Sequence, residues 1–366
     1  MSYQGGNMGL AAGTALVFAV TIPRVFLTAP ASRLIEDAQI AWLSVAIGAG
    51  ASMMMIGMLL YVLSRTGGDL IDGVRQLFGN VAAWLVALLY ITIFLGNTVL
   101  LLREFAENTL LTALPFSEFS LVTIWYAGWA AVFIYFGIEV VGRVSYMVLP
   151  FLAASMLFIV ILLIPFYNIY QLVPWQGNGL GLAVYHGLTM AGANVGAILL
   201  AVYAREFQNA NTTTQSLVFG LGGATTIKVI YAQSYLMVFG VYVGQEKILP
   251  FFEMARLVYL NRFLQRIEAL LIALWAMVSI LAIAISLYTA VYLIARILEL
   301  PSGRPIIPLV AAIAANIAMV PPDIITVIGY EKMYLYISSA GVYAIPAVLF
   351  LTCWLKRKGV KRCTAG

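Results

Sequence analysis

The chain has 366 residues, of which 63% are hydrophobic and only 10% are charged, and its mean hydropathy is +0.98. Several apolar runs reach the roughly 20 residues that cross a bilayer as a helix. Composition therefore predicts an all-α polytopic membrane protein. The net charge of +5 does not indicate nucleic-acid binding, because five of the twenty cations lie in the last eleven residues.

The apolar runs predict ten spans, and their order predicts where the two termini lie. The expected boundaries are about 8–28, 39–63, 80–104, 119–136, 140–165, 182–204, 214–243, 266–298, 305–321 and 334–355. An even number of spans places both termini on one side, and the basic tail at 356–366 favours the cytoplasm. The two cysteines, Cys353 and Cys363, are too few for a disulfide framework. A His-rich metal centre is not expected either, since the sequence has a single histidine, His186.

The first span, Met8 to Pro30, contains Pro23 and, directly after it, its only charge, Arg24. Proline removes a backbone donor and clashes with the preceding turn, so the helix is expected to be interrupted at about Val20–Arg24. In a membrane, a broken helix is tolerated where protein or a polar cavity satisfies the freed backbone groups. The alternative is a simple kink, with the arginine side chain reaching the lipid headgroups.

The sixth span contains a second interruption signal, with glycines and Asn194 between His186 and Gly196. We expect the helix to be unwound at about Gly192–Gly196, although small residues can also serve close helix packing. Spans 1 and 6 are the first members of two five-span halves, 8–165 and 182–355. Paired breaks at corresponding positions are typical of a five-plus-five inverted-repeat transporter with its substrate between the half-helix ends.

Few other polar groups lie at membrane depth. The candidate ligand-binding residues are Thr21, Pro23, Arg24, Asn97, Thr98, Thr189, Gly192, Asn194 and Ser279. A hydroxyl in such a helix more often bonds to its own backbone than to a ligand. Lys228 is expected in the middle of span 7, with no carboxylate near the middle of any predicted span. An intramembrane lysine indicates function, here proton exchange or replacement of a coupling cation, unless it bonds to carbonyls or snorkels.

The sequence contains no catalytic constellation, so neither an enzyme nor a cofactor is expected. Two connections, 68–78 and 248–266, combine apolar and charged residues at helical spacing. They predict short amphipathic helices at the membrane surface, or else partner-binding surfaces.

Several short motifs resemble the spore germination permeases, which are the B subunits of GerA-type germinant receptors. They occur in order between about residues 8 and 355. The motifs are Ala29-Pro30 with Ile35-Glu36-Asp37-Ala38-Gln39-Ile40-Ala41-Trp42-Leu43-Ser44-Val45, Leu102-Arg103-Glu104-Phe105-Ala106-Glu107, Gly137-Ile138-Glu139-Val140-Val141-Gly142-Arg143, and Phe263-Leu264-Gln265-Arg266-Ile267-Glu268-Ala269-Leu270.

That family belongs to the amino acid–polyamine–organocation superfamily. The resemblance implies a LeuT-like fold, a ligand site between spans 1, 3, 6 and 8, and assembly with a membrane A subunit and a lipoprotein C subunit. Two departures fall at the implied site. Thr21–Val25 stand where relatives usually have glycines, and Gly196-Ala197 stand where many have a glycine–glutamate pair.

The function expected from these patterns is that of a nutrient-sensing subunit in the spore inner membrane or bacterial plasma membrane. It would bind a small molecule such as an amino acid and shift between states that partner subunits sense. The alternatives are a proton-coupled amino acid transporter of the same fold and a membrane scaffold that binds no ligand.

Overall fold

The structure is a computed structural model that describes residues 8–27, 29–258 and 267–363. Within these ranges the chain is helical and contains no strand longer than a single bridge. The α-helices are α1 (Leu10–Thr21), α2 (Ala29–Asp37), α3 (Ala41–Thr66), α4 (Leu70–Phe78), α5 (Asn80–Thr112), α6 (Phe119–Tyr135), α7 (Ile138–Leu162), α8 (Leu180–Thr189), α9 (Leu199–Val202), α10 (Ala210–Gly244), α11 (Pro250–Leu257), α12 (Ile267–Ile297), α13 (Ile307–Ala318) and α14 (Ile324–Cys363).

Seven helical segments of the described chain are long and apolar enough to cross a membrane, and three shorter apolar helices accompany them. The long segments are Ala29–Thr66, Asn80–Thr112, Ile138–Leu162, Leu180–Val202, Ala210–Gly244, Leu271–Ile297 and Ile324–Leu355. The shorter ones are Leu10–Phe26, Phe119–Tyr135 and Arg304–Ala318. These lengths agree with an integral membrane protein, as composition predicts.

The first interruption follows α1. The α-helix ends at Thr21, a 3₁₀ turn covers Pro23–Phe26, and the backbone at Leu27 is extended. The turn begins at Pro23 because proline lacks the N–H that an α-helix needs there, while its fixed φ suits the first position of a new turn. The interruption thus extends three residues beyond the expected Val20–Arg24.

The second interruption follows α8. The α-helix ends at Thr189 and the chain continues as a 3₁₀ segment, Ala191–Ile198, in which Asn194 has non-helical φ and ψ of −100° and 21°. This segment packs against α1. At Gly196 a Cβ atom would lie 2.8 Å from Thr21 Oγ1 and 3.0 Å from Val17 O, so glycine is needed for the two chains to approach.

The outer boundaries of two helices differ from the predicted spans. α5 continues to Thr112 instead of ending near 104, and α14 begins at Ile324 instead of near 334. Asp323 caps α14, since its Oδ1 accepts a hydrogen bond from Thr326 N at 2.8 Å. The earlier start places Glu331 inside the helical bundle, where the predicted span 10 did not include it.

The amphipathic segment expected at 68–78 forms α4, and the one expected at 248–266 forms α11, while residues 259–266 lie outside the described chain. Asp69 caps α4 by accepting from Asp72 N at 3.0 Å. The two carboxylates also bind Arg296 of α12, each at 2.9 Å, and Asp72 binds Arg205 at 2.7 Å. The surface helix is therefore attached by charge to α12 and to the connection after α9.

We expect the variant Asp69→Asn to change how stability depends on pH. Burial raises the pKa of Asp69 to about 6, against the opposing effect of Arg296. The folded state therefore binds the proton more tightly than the unfolded chain, and the free energy of unfolding falls as pH rises from about 4 to 6. Because asparagine keeps the capping oxygen without titrating, the variant should lose the part of this slope that Asp69 contributes, which is at most about tenfold in the folding equilibrium per pH unit.

The measurement is thermal unfolding in detergent between pH 4 and 8. Asp323→Asn provides the matched control, since Asp323 also caps a helix. Hydrogen bonds from Thr326 lower the pKa of this fully exposed carboxyl, so the control should leave the slope between pH 4 and 6 unchanged. A wild-type slope in Asp69→Asn would contradict the prediction.

Candidate functional site

A cavity of about 110 Å³ lies beside the two interruptions. From the first half of the chain, the turn after α1, α2 and the first half of α3 bound it. From the second half, the end of α8 with the following segment, the middle of α10 and the start of α14 bound it. Its charged and amide side chains are Arg24, Arg33, Glu36, Asn194, Lys228, Glu331 and Lys332. Three of the predicted site residues, Arg24, Asn194 and Lys228, therefore line one cavity.

Arg24 is only 4% exposed and makes an ion pair with Glu331 of α14. Its second terminal nitrogen donates to Asn97 Oδ1 at 3.0 Å, and its guanidinium lies 5.5 Å from the ring centre of Tyr334. The arginine thus points into the bundle and not to the headgroups. Its two terminal nitrogens are already occupied, one by Glu331 and the other by Asn97, and the ion pair joins the first interruption to α14.

The two buried asparagines also have protein partners. Asn97 Nδ2 donates to Ser286 Oγ of α12 at 2.9 Å, which extends the Arg24 cluster to a third helix. Asn194 Nδ2 donates to Ser52 Oγ of α3 at 3.1 Å. Asn97 therefore has a protein partner at its oxygen and at its nitrogen, and Asn194 has one at its nitrogen. Both amides hold helices together at the level of the cavity.

Lys228 differs from the other cations of the cavity. Arg33 lies 3.6 Å from Glu36, and Lys332 lies 3.3 Å from the same carboxylate. Among the described residues, Lys228 has no hydrogen bond or ion pair, and the nearby charges that act on it, those of Arg24 and Arg33, are of its own sign. An unpaired ammonium on the wall of this cavity attracts an anion.

The remaining predicted site residues have structural contacts. Gly192 N donates to Ser339 Oγ at 2.7 Å and so attaches the second interruption to α14, and Pro23 begins the 3₁₀ turn. The hydroxyls of Thr21, Thr98, Thr189 and Ser279 each donate to a carbonyl of their own helix, at Val17, Phe94, Tyr185 and Ala276. This is the bonding expected of hydroxyls in membrane helices.

Sequence reasoning did not include two buried carboxylates, Glu331 and Glu104. Glu331 was missed because span 10 was expected to start after it. The signal was present in Pro321-Pro322-Asp323, since an aspartate after prolines is a good helix cap. Glu104 was expected at the membrane boundary, and the extension of α5 to Thr112 places it inside.

An all-helical membrane bundle with two interrupted helices beside an internal cavity is the architecture of a permease-like membrane protein. A family model described as "Spore germination protein" matches residues 10–326. The chain belongs to this family of spore germination permeases, as the sequence motifs indicate. No curated protein matches the chain.

Solved structures show the same fold at low sequence identity. A nucleobase-cation-symport-1 family transporter, in a closed conformation with bromovinylhydantoin bound, has a TM-score of 0.70 and 14% identity, covering 95% of this chain and 78% of its own. MhsT in complex with L-phenylalanine has a TM-score of 0.66 and 10% identity, and the match covers 97% of this chain and 99% of MhsT. A substrate-bound Na+-coupled sialic acid symporter has a TM-score of 0.63 and 15% identity, and the match covers 86% of this chain and 72% of the symporter. The chain therefore has the LeuT-like transporter fold.

Proposed function

We propose that this protein is the permease-like, nutrient-sensing subunit of a spore germinant receptor in the spore inner membrane. It binds a small molecule, of which an amino acid is the expected class, and signals to partner A and C subunits. The observation that supports this most directly is the unpaired Lys228 in the cavity beside the two interruptions. Family membership supports the germination role.

The finer architecture of the proposal has ten spans arranged as a five-plus-five inverted repeat. The seven long segments and three shorter apolar helices add to this number within the described chain. Residues 8–165 form the first repeat and residues 182–355 the second. The first span of each repeat contains one interruption. Both termini are then cytoplasmic, with 356–366 as a basic tail near anionic lipid.

The cavity chemistry favours a small ligand with a carboxylate. Lys228 supplies a free cation for that carboxylate, whereas Arg24 is committed to Glu331. The carboxylates of Glu36 and Glu331 also line the cavity, but cations of the protein already pair with them. At about 110 Å³ the cavity is smaller than the roughly 150 Å³ that accommodates benzene, which favours a small amino acid over an aromatic one.

The ligand acts by binding one arrangement of the two interrupted helices better than the other. A ligand shifts such an equilibrium only through its different affinity for the two states. Because α14 contacts both the first interruption, through Glu331, and the second, through Ser339, a shift of either one reaches this helix. Partner subunits would sense that displacement.

The test is ligand-dependent thermal stabilisation of the purified protein across a panel of amino acids. We expect small amino acids to stabilise the wild type without sodium, because Lys228 provides the positive charge. Lys228→Met keeps approximate side-chain length and should weaken binding about 10- to 100-fold, the loss expected for one hydrogen bond to a charged group. Lys247→Met, which alters a lysine outside the cavity, should bind as the wild type does.

Two results would overturn this assignment. Sodium-dependent binding, or wild-type affinity and pH profile in Lys228→Met, would make Lys228 a structural residue. If no metabolite stabilises the wild type, the scaffold alternative is correct.

A proton-coupled transporter is the second candidate, supported by a further cavity of about 890 Å³ near the α4 ion pairs. That cavity is lined by Asp72, Arg205 and Arg296 and would give a ligand a route to the other side of the membrane. Uptake of radiolabelled amino acid into proteoliposomes, driven by a pH gradient, distinguishes the two functions. Binding without uptake identifies the receptor, and binding with uptake identifies the transporter.

A further inference from the structure

Glu104 of α5 is a buried carboxyl group that the proposed ligand site does not use. It is 7% exposed, and its Oε2 has no hydrogen-bond partner. Asn97 lies two helical turns earlier on the same face of α5 and contacts Arg24. Glu104 therefore lies on the side of α5 that faces the ion pair between Arg24 and Glu331.

The charges around Glu104 do not balance. Three carboxylates, Glu104, Glu107 and Glu331, act in this region, and two arginines neutralise two of them. Arg103 binds Glu107 at 3.2 Å, and Arg24 binds Glu331. No ion pair or hydrogen bond to Glu104 occurs in the described chain, so it is the carboxyl group left without a cation.

The other helices packed on α5 do not supply the missing charge. α6 and α13 contain no charged residue, and the Tyr126 hydroxyl of α6 is bonded to Thr109. In α12, Arg296 is bound to Asp69 and Asp72 of α4, and the side chain of Glu268 lies outside the described residues. From α14, Tyr334 contacts Arg24 through its ring, and Lys332 is paired with Glu36. In α4, Arg75 is exposed and precedes the first residue of α5, at the end of that helix away from Glu104.

We propose that Glu104 holds a proton while Arg24 is paired with Glu331, and that it releases this proton when the pair opens. A buried carboxylate without a counter-ion is costly, and a proton on Glu104 removes the charge. When Glu331 leaves Arg24, the freed guanidinium becomes the counter-ion of Glu104. The O–H bond of Glu104 then breaks and its carboxylate stays with Arg24, while the proton goes to Glu331, whose carboxylate would otherwise be buried without a counter-ion. This proton site is independent of any ligand at Lys228.

The test is infrared spectroscopy of the protein in liposomes at neutral pH, without ligand. The wild type should show the C=O stretch of a protonated carboxylic acid, and Glu104→Gln should lose it, since the amide has nearly the same shape and no ionisable proton. Glu139→Gln is the control, since Glu139 is half-exposed in α7 and its partner Arg143 is an exposed arginine, and it should keep the band. Absence of the band in the wild type, or its persistence in Glu104→Gln, would overturn the proposal.

A second variant tests whether the proton on Glu104 depends on the ion pair between Arg24 and Glu331. In Glu331→Gln, Arg24 has no carboxylate of α14 to bind and is free to neutralise Glu104. The carboxylic acid band should therefore disappear although Glu104 is still present. A band of wild-type intensity in Glu331→Gln would show that the proton does not depend on the pair. Since no nutrient is added, failure here leaves the proposed receptor function to its own test.

Discussion

Replacing Arg24 with glutamine is expected to lower the free energy of unfolding by about 3–5 kcal/mol, the cost of removing one partner from a buried ion pair. Arg24 and Glu331 are both nearly inaccessible, at 5% and 8% side-chain exposure. Without the arginine, the carboxyl group of Glu331 stays buried with no cation, and Asn97 Oδ1 loses its donor. The measurement is thermal or denaturant unfolding in detergent. The protein should also lose its response to ligands that carry a carboxylate, because the structure of the site is lost.

Two comparisons separate this effect from a general loss of charge. Arg143→Gln removes an exposed arginine, 77% accessible and 3.7 Å from Glu139, and should change stability by at most about 1 kcal/mol. The double variant Arg24→Met with Glu331→Met replaces both charges by apolar groups and should recover most of the loss. If Arg24→Gln has the same free energy of unfolding as the wild type, the ion pair contributes nothing to stability.

Replacing Gly192 with alanine is expected to destabilise the protein by about 3 kcal/mol, through overpacking and a distorted hydrogen bond. A Cβ here would lie less than 3.0 Å from the Ser338 hydroxyl and from backbone atoms of Leu335 and Ser339. A backbone neighbour cannot turn away as a side chain can, so α14 must shift from the second interruption. The bond from Gly192 N to Ser339 Oγ would then lengthen.

Gly57→Ala is the control for this variant. Gly57 lies within α3, and a Cβ there meets nothing within 4 Å. An open helical position should gain about 0.5–1 kcal/mol from alanine, because glycine loses more backbone entropy on folding. If both variants unfold alike, close packing between the second interruption and α14 is not important for stability.

Features that depend on neighbouring residues could be predicted from the sequence alone. Apolar length predicted the membrane class, and Pro23 predicted the first interruption, because its ring and missing N–H act on its own turn. The glycines around Asn194 predicted the second. The amphipathic pattern at 68–78 predicted α4, whose capping box lies within four residues.

Polar site residues could be predicted as candidates, but their partners could not. A hydroxyl at membrane depth has the same sequence signature whether it faces a ligand or its own helix, and four of the candidates do the latter. Lys228 was selected because a lysine is rare in such a helix. That it lines the same cavity as Arg24 and Asn194 follows only from how α10 packs.

Only the tertiary structure decided what Arg24 does. Its partner, Glu331, is 307 positions away, and no periodicity or local motif connects two residues so distant. Helix ends had a similar effect, because the early start of α14 and the late end of α5 brought Glu331 and Glu104 into the bundle. Hydrophobic length locates a span approximately, whereas a buried charge is compatible with the fold only when packing brings it a counter-ion or a proton.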